Sequence, residues 1–117
     1  FGAAAALAGA QLRTVSGPAP IMDAASLAAT IRPRSASVPK PSLVCIENTH
    51  NLRGGRIWPL KAIEEVAAVA RKHGLFMHLD GARLFNAVVA SGIAKVSGYF
   101  ARLAENAAAK SLALRVQ

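Results

Sequence analysis

The chain is poor in cysteine and in aromatic residues, and it contains no long apolar run. Cys45 is its one cysteine, so no internal disulfide can form, and the composition fits a reducing compartment such as the cytoplasm. No stretch of about 18 uninterrupted apolar residues exists, so no membrane-spanning helix is expected. The small apolar start from Phe1 to Ala10 lacks a basic leader, which makes a signal peptide a poor reading. A start at Phe1 rather than methionine suggests a piece of a longer product. The three histidines, His50, His73 and His78, show no His-x-x-x-His or cysteine-paired spacing, so no metal site is expected. Two further site types are missing. No Gly-x-Ser-x-Gly elbow is present for a nucleophilic serine, and no Gly-x-Gly-x-x-Gly or P-loop pattern for a nucleotide.

Charge of one sign is scarce as well: six acidic residues stand against 14 basic ones, giving a net charge of +8. Such a balance raises nucleic acid as a partner. The basic residues are scattered, however, with no block of like charge and no interleaved stacking aromatics. Nucleic acid is therefore not the expected partner. A solvated basic surface, or anionic groups on a small substrate and cofactor, accounts for the charge. Alanine dominates a hydrophobic content of 53%, which favours helices but fills little core volume.

Along the chain, residues 2–10 read as the end of a small-residue helix and Gln11 to Val15 as a short strand. Ser16 to Pro20 reads as a turn. Asp23 is a good N-cap for a helix running to about Ile31. The proline- and serine-rich stretch Arg32 to Pro41 is a loop. Leu43 to Ile46 is a continuous apolar run, the pattern of a parallel strand buried on both faces, and Cys45 within it reads as a small buried hydrophobe. Glu47 to Trp58 is a polar loop in which Gly54-Gly55 permits a tight turn. Pro59 then opens a helix with an apolar stripe of Ile63, Val66, Ala67 and Ala70. Glu64 and Glu65 lie early in it and Arg71, Lys72 and His73 late, which suits the helix dipole. Gly74 ends it, and Leu75 to Leu79 is a second buried strand. Strand, loop, helix and strand make a βαβ crossover, so the fold class is α/β with a mostly parallel sheet.

Ligands collect beyond the carboxyl ends of such strands. Two polar motifs stand there, Glu47 to Asn51 and Asp80 to Arg83, and topology brings them together although they are far apart in sequence. Asp80 closes an apolar strand, where an uncompensated carboxylate is costly. Its partner is then Arg83, a cationic ligand, or the first turn of the helix that follows Gly81. Arg83 either pairs with Asp80, lies on the surface or meets a ligand. His50 contacts a ligand or braces a turn. His78 shares a strand face with Asp80 and is either a satisfied core histidine or a neighbour that tunes the carboxylate.

The combination Leu43-Val44-Cys45-Ile46-Glu47-Asn48-Thr49-His50-Asn51, Gly54-Gly55-Arg56-Ile57-Trp58-Pro59-Leu60 and His78-Leu79-Asp80-Gly81-Ala82-Arg83-Leu84-Phe85-Asn86 resembles the threonine aldolase and β-eliminating lyase family. Gly9-Ala10-Gln11-Leu12-Arg13 adds to the resemblance, which runs from about Gly2 to Gly92. The resemblance implies part of the large domain of an aspartate-aminotransferase-like fold that binds pyridoxal 5'-phosphate (PLP). It implies a small-molecule amino acid substrate, a homo-oligomer with sites at a subunit interface, and Asp80 and Arg83 as cofactor-binding residues. In the family the matching carboxylate keeps the pyridine nitrogen protonated, and the matching arginine lies near the phenolic oxygen. Arg83 and His50 are then the candidate catalytic residues.

Residues 1–92 would form the central part of that domain and residues 93–117 a divergent, helical tail. The family's Ser-Lys-Gly-Leu-Gly is not found after the Asp80 helix. Lys110 falls at about the right separation for the lysine that binds the cofactor covalently, but its context, Ala109-Lys110-Ser111-Leu112-Ala113, only faintly echoes the motif, and a surface lysine on a helix is the better reading. The phosphate-binding and ring-stacking elements would precede Phe1, and the carboxylate-binding arginine would follow Gln117. The 117-residue chain alone is thus expected to be catalytically poor. The resemblance implies an aldolase that cleaves a β-hydroxy-α-amino acid such as threonine to glycine and an aldehyde; a related β-eliminating lyase or aminotransferase-like enzyme and a non-enzymatic α/β module are the alternatives.

Overall fold

The computed structural model describes residues 2–16, 21–33 and 35–92. In order, these carry helices α1 (Ala3–Ala8) and α2 (Ala24–Thr30), strand β1 (Leu43–Glu47), a 3-10 turn (Asn51–Arg53), helix α3 (Leu60–Lys72), strand β2 (Phe76–Asp80) and helix α4 (Leu84–Ser91). The architecture is α/β. β1 pairs with β2 in parallel, with Leu43 opposite Phe76, Cys45 opposite His78 and Glu47 opposite Asp80.

Local signals set most of the boundaries. The Asp23 carboxylate accepts a 2.7 Å hydrogen bond from the Ser26 N–H and so starts α2. Pro59, which needs no amide partner at a helix start, is the N-cap of α3. At the other end of α3 Gly74 takes φ +65°. The Gly74 N–H donates to the Arg71 carbonyl and the Leu75 N–H to the Ala70 carbonyl, closing the helix and turning the chain into β2. The first turn of α3 holds no acidic residue. Glu64 and Glu65 lie a turn too far in to meet the positive end of the helix, so only Arg71 and Lys72 in the last turn match the dipole.

The core lies between the sheet and α3. Val44, Ile46 and Leu79 supply it from the sheet, Ile63, Val66, Ala67 and Ala70 from α3, Leu84 and Ala87 from α4, and Leu27 from α2. Trp58 seals one end at 2% exposure. The apolar stripe expected on α3 is the set of residues that α3 buries.

Three expectations need correction. Gln11 to Val15 forms no strand: it has no ladder partner among the described residues, and most of it is exposed. A strand exists only where a neighbour satisfies its backbone, which its own residues cannot provide. Neither β1 nor β2 is buried on both faces. β1 alternates, with Val44 and Ile46 buried but Leu43 and Cys45 exposed. On β2, Leu79 is buried and Phe76 and Asp80 are exposed. The helices cover one face, and among the described residues the other is open. Cys45 is therefore not a buried hydrophobe. Ser16 is described, whereas the rest of the expected Ser16–Pro20 turn lies outside the described residues, as do the expected tail from 93 to 117 and Lys110.

The serine contact holds the Asp23 carboxyl below its ordinary 3.8. A folded-state value below the unfolded one means stabilisation that is complete above the unfolded value and disappears as pH falls through the folded one. Asp23→Ala is expected to lower the melting temperature at pH 7, and the deficit should vanish in strong acid. Asp23→Asn, which caps about as well, should melt close to the unsubstituted chain at pH 7. Trp58→Ala should cost about 3–5 kcal/mol, read from chemical unfolding followed by circular dichroism.

Candidate functional site

The site grows from the carboxyl ends of the paired strands. Because Glu47 and Asp80 are register partners, their side chains leave the same, open face of the sheet. The pairing continues one step into the loop, where the Asn48 N–H donates to the Asp80 carbonyl at 3.0 Å. The loop after β1 is then closed on itself. His50 donates its N–H to the Arg56 carbonyl at 2.8 Å, and the Gly55 N–H returns to the His50 carbonyl at 3.0 Å. Gly54 and Gly55 both have positive φ, +70° and +72°, a conformation in succession that side chains with a Cβ resist.

Asn48 anchors this loop to the core. It is fully buried, and its Oδ1 accepts the Trp58 N–H at 3.2 Å. The peptide bond between Asn48 and Thr49 is cis. The Asn48 Nδ2, Trp58 Nε1 and His50 Nδ1 atoms are buried without a hydrogen-bond partner among the described residues. Three polar atoms of this kind within one loop and its anchor mark it as a place built for more than packing.

Arg83, Glu47 and His50 meet above the loop. The Arg83 Nη1 lies 3.3 Å from the Glu47 Oε1. The second carboxylate oxygen of Glu47 lies 3.5 Å from the His50 Nδ1, an electrostatic contact without hydrogen-bond geometry. Asp80 stands beside them, exposed, with its Oδ1 accepting the Ala82 N–H at 3.1 Å.

The structure thus brings Asp80, Arg83 and His50 together, as expected, and corrects two details. Asp80 is neither buried nor paired with Arg83, because the arginine turns to Glu47 instead. Nor does Asp80 cap α4. Arg83 is the N-cap residue and makes no side-chain cap, while the carboxylate braces only the turn before it. Glu47, which sequence reasoning noted without giving it a role, is the hub of the cluster. The available signal was its place: the last residue of one apolar strand, matched to a carboxylate at the end of the next.

Glu47, His50, Trp58, His78 and Asp80 stand on the wall of an open cleft of about 1320 Å³. His73 sits apart, at the end of α3. No group of three metal-ligating side chains occurs among the described residues.

The sequence profile of the beta-eliminating lyase family matches residues 1–115. The chain belongs to that family. It is 45% identical over 74 residues to low-specificity L-threonine aldolase 1 of Arabidopsis thaliana, covering 62% of this chain and 21% of that protein. It is 39% identical over 95 residues to the probable low-specificity L-threonine aldolase 2 of the same plant, covering 79% of this chain and 27% of that protein. The low specificity L-threonine aldolase of Escherichia coli K12 is 39% identical over 66 residues, covering 56% of this chain and 19% of that protein. The chain thus spans between a fifth and about a quarter of the length of these relatives. The family is pyridoxal-phosphate dependent.

The residues present suit one side of that cofactor. Asp80 offers an accessible carboxylate on the wall of the cleft, the partner that a protonated ring nitrogen requires, and Arg83 offers a half-exposed cation a turn away.

On the open face below the cluster, burial pushes the Cys45 thiol above its ordinary value, although the residue as a whole is exposed. A raised thiol pKa means less thiolate at a given pH. Cys45 is expected to react completely with iodoacetamide at pH 8 but more slowly than glutathione, with a rate that keeps rising at higher pH. A rate equal to that of glutathione would contradict the shielding.

Proposed function

We propose that this chain forms the pyridine-nitrogen side of the active site of a threonine-aldolase-like, PLP-dependent lyase. The reaction would cleave a β-hydroxy-α-amino acid such as threonine into glycine and an aldehyde. The observation that carries the reading is the placement of Asp80, Arg83, Glu47 and His50 at the carboxyl ends of two parallel strands, in a chain of this family.

Bound PLP supplies an electron sink for the pair released when the Cα–Cβ bond breaks. Asp80 holds a proton at the ring nitrogen, which deepens that sink, and its exposed carboxylate is free to do so. Arg83 faces the phenolic side and balances negative charge there. His50 contacts the substrate and is positioned to move the β-hydroxyl proton. Residues 1–92 form the central part of the large domain in this reading. A homo-oligomer, with sites completed at a subunit interface, and a cytoplasmic location belong to the same proposal. In support of the latter, the lone Cys45 fits a reducing compartment. Separately, no helix among the described residues is long and apolar enough to cross a membrane.

The family description itself favours one second reading, β-elimination from the same class of amino acid. The products separate the two: glycine and an aldehyde for cleavage, a 2-oxo acid and ammonia for elimination.

The test is cofactor titration and product analysis on the complete natural protein that carries this sequence. The unsubstituted protein should bind PLP and release glycine and acetaldehyde from threonine. Borohydride reduction followed by peptide mapping should trap the cofactor on one lysine, and Lys110 is the candidate within this chain. Asp80→Ala should lower turnover by about a hundredfold or more, the scale on which a preorganised electrostatic contact to a reacting group acts. Turnover unchanged in that variant would sink the assignment of Asp80.

A further inference from the structure

Glu47 stands in the site without a role in the chemistry described above. It faces Asp80 at a paired position on the same face of the sheet, and two carboxylates placed so repel each other. One cation, Arg83, is close to both. It lies 3.3 Å from Glu47, although it follows Asp80 by a single turn of chain and could fold back onto it. The other oxygen of Glu47 lies 3.5 Å from the His50 Nδ1, so the carboxylate has a neighbour on each side.

The arrangement divides the charges. Glu47 takes the arginine, and the Asp80 carboxylate accepts the Ala82 N–H instead. An Asp80 already paired with Arg83 would have its charge satisfied within the protein and would gain less from a cationic ring nitrogen. We propose that Glu47 is a positioning residue: it holds the Arg83 guanidinium on its own carboxylate, so that Asp80 stays available to a protonated pyridine ring. This inference rests on the proposed cofactor reading and adds to it the residue that separates the two cofactor contacts. The ion pair is half-exposed. The Arg83 side chain can therefore adjust to a ligand without leaving a buried charge behind.

The complete natural protein decides the matter through equilibrium titration with PLP, followed by absorbance, for the unsubstituted protein and for Glu47→Gln, Glu47→Asp, Arg83→Gln and the double variant Glu47→Gln/Arg83→Gln. Glu47→Gln keeps the size of the side chain and one acceptor oxygen but removes the charge, and should weaken binding about fivefold, the scale of a half-exposed ion pair. Glu47→Asp, which restores the charge, should recover most of the loss. In the Arg83→Gln background, Glu47→Gln should change binding by less than about twofold, because there is no arginine left to misplace. Circular dichroism should be the same for all five proteins. A fivefold loss that persists in the Arg83→Gln background overturns the proposal, as does a Glu47→Gln protein that binds like the unsubstituted one. An altered dichroism spectrum in Glu47→Gln, unrepaired in Glu47→Asp, overturns it in favour of a structural role. If the unsubstituted protein does not bind PLP, the cofactor reading falls and this inference with it, an outcome distinct from the others because it appears before any substitution is made.

Discussion

The parallel pairing of β1 with β2 is the constraint on which the rest of the site depends. Five register pairs join the strands, and the last of them places Glu47 directly beside Asp80. The Asn48 amide extends the ladder into the loop, so the loop begins where the sheet ends. A slip of the register by one residue would send Glu47 and Asp80 to opposite faces, because side chains alternate along a strand. The cluster of carboxylates, arginine and histidine would then not exist. What fixes the register is the other face, where Val44, Ile46 and Leu79 must all lie under α3.

The two faces of the sheet divide the work. One is dry and packed by Trp58, Ile63, Val66 and Ala70, and burying large apolar side chains there supplies the main favourable term in folding. The other carries Cys45, His78, Glu47 and Asp80 and lines the cleft. Polar and charged side chains can stand at strand ends on this face because it is open, without the penalty that an unpaired charge would meet under the helices. The buried Asn48 is the link between the faces: its Oδ1 ties the loop to the backbone of Trp58, a core residue. A rigid anchor of this kind lets a polar loop present His50 in a fixed place beside Glu47 at the end of β1.

Charge at the site is distributed rather than accumulated. The chain carries a large positive excess, and the cleft wall sets two carboxylates, Glu47 and Asp80, among Arg13, Arg32, Lys40 and Arg53. An anionic cofactor and an amino acid substrate both bring separated charges of each sign. A wall with alternating charge matches such ligands better than a uniformly basic patch, which is the footprint of nucleic-acid binding.

The amino-acid sequence by itself determined the α2, α3 and strand boundaries and the buried stripe of α3, through local devices: the Asp23 cap, Pro59, Gly74 and an apolar period of 3.6 residues. It also determined that the Glu47 and Asp80 motifs meet, because a βαβ crossover leaves both at carboxyl strand ends. The tertiary structure alone decided who pairs with whom. The sequence left Arg83 free to pair with Asp80, its neighbour along the chain, to meet a ligand or to lie on the surface; in the fold its partner is Glu47, 36 residues away. The fate of Gln11 to Val15 and the exposure of Cys45 were likewise not legible. Both depend on whether another segment lies alongside β1 or over its open face, and a residue's own side chain and neighbours in sequence carry no record of that.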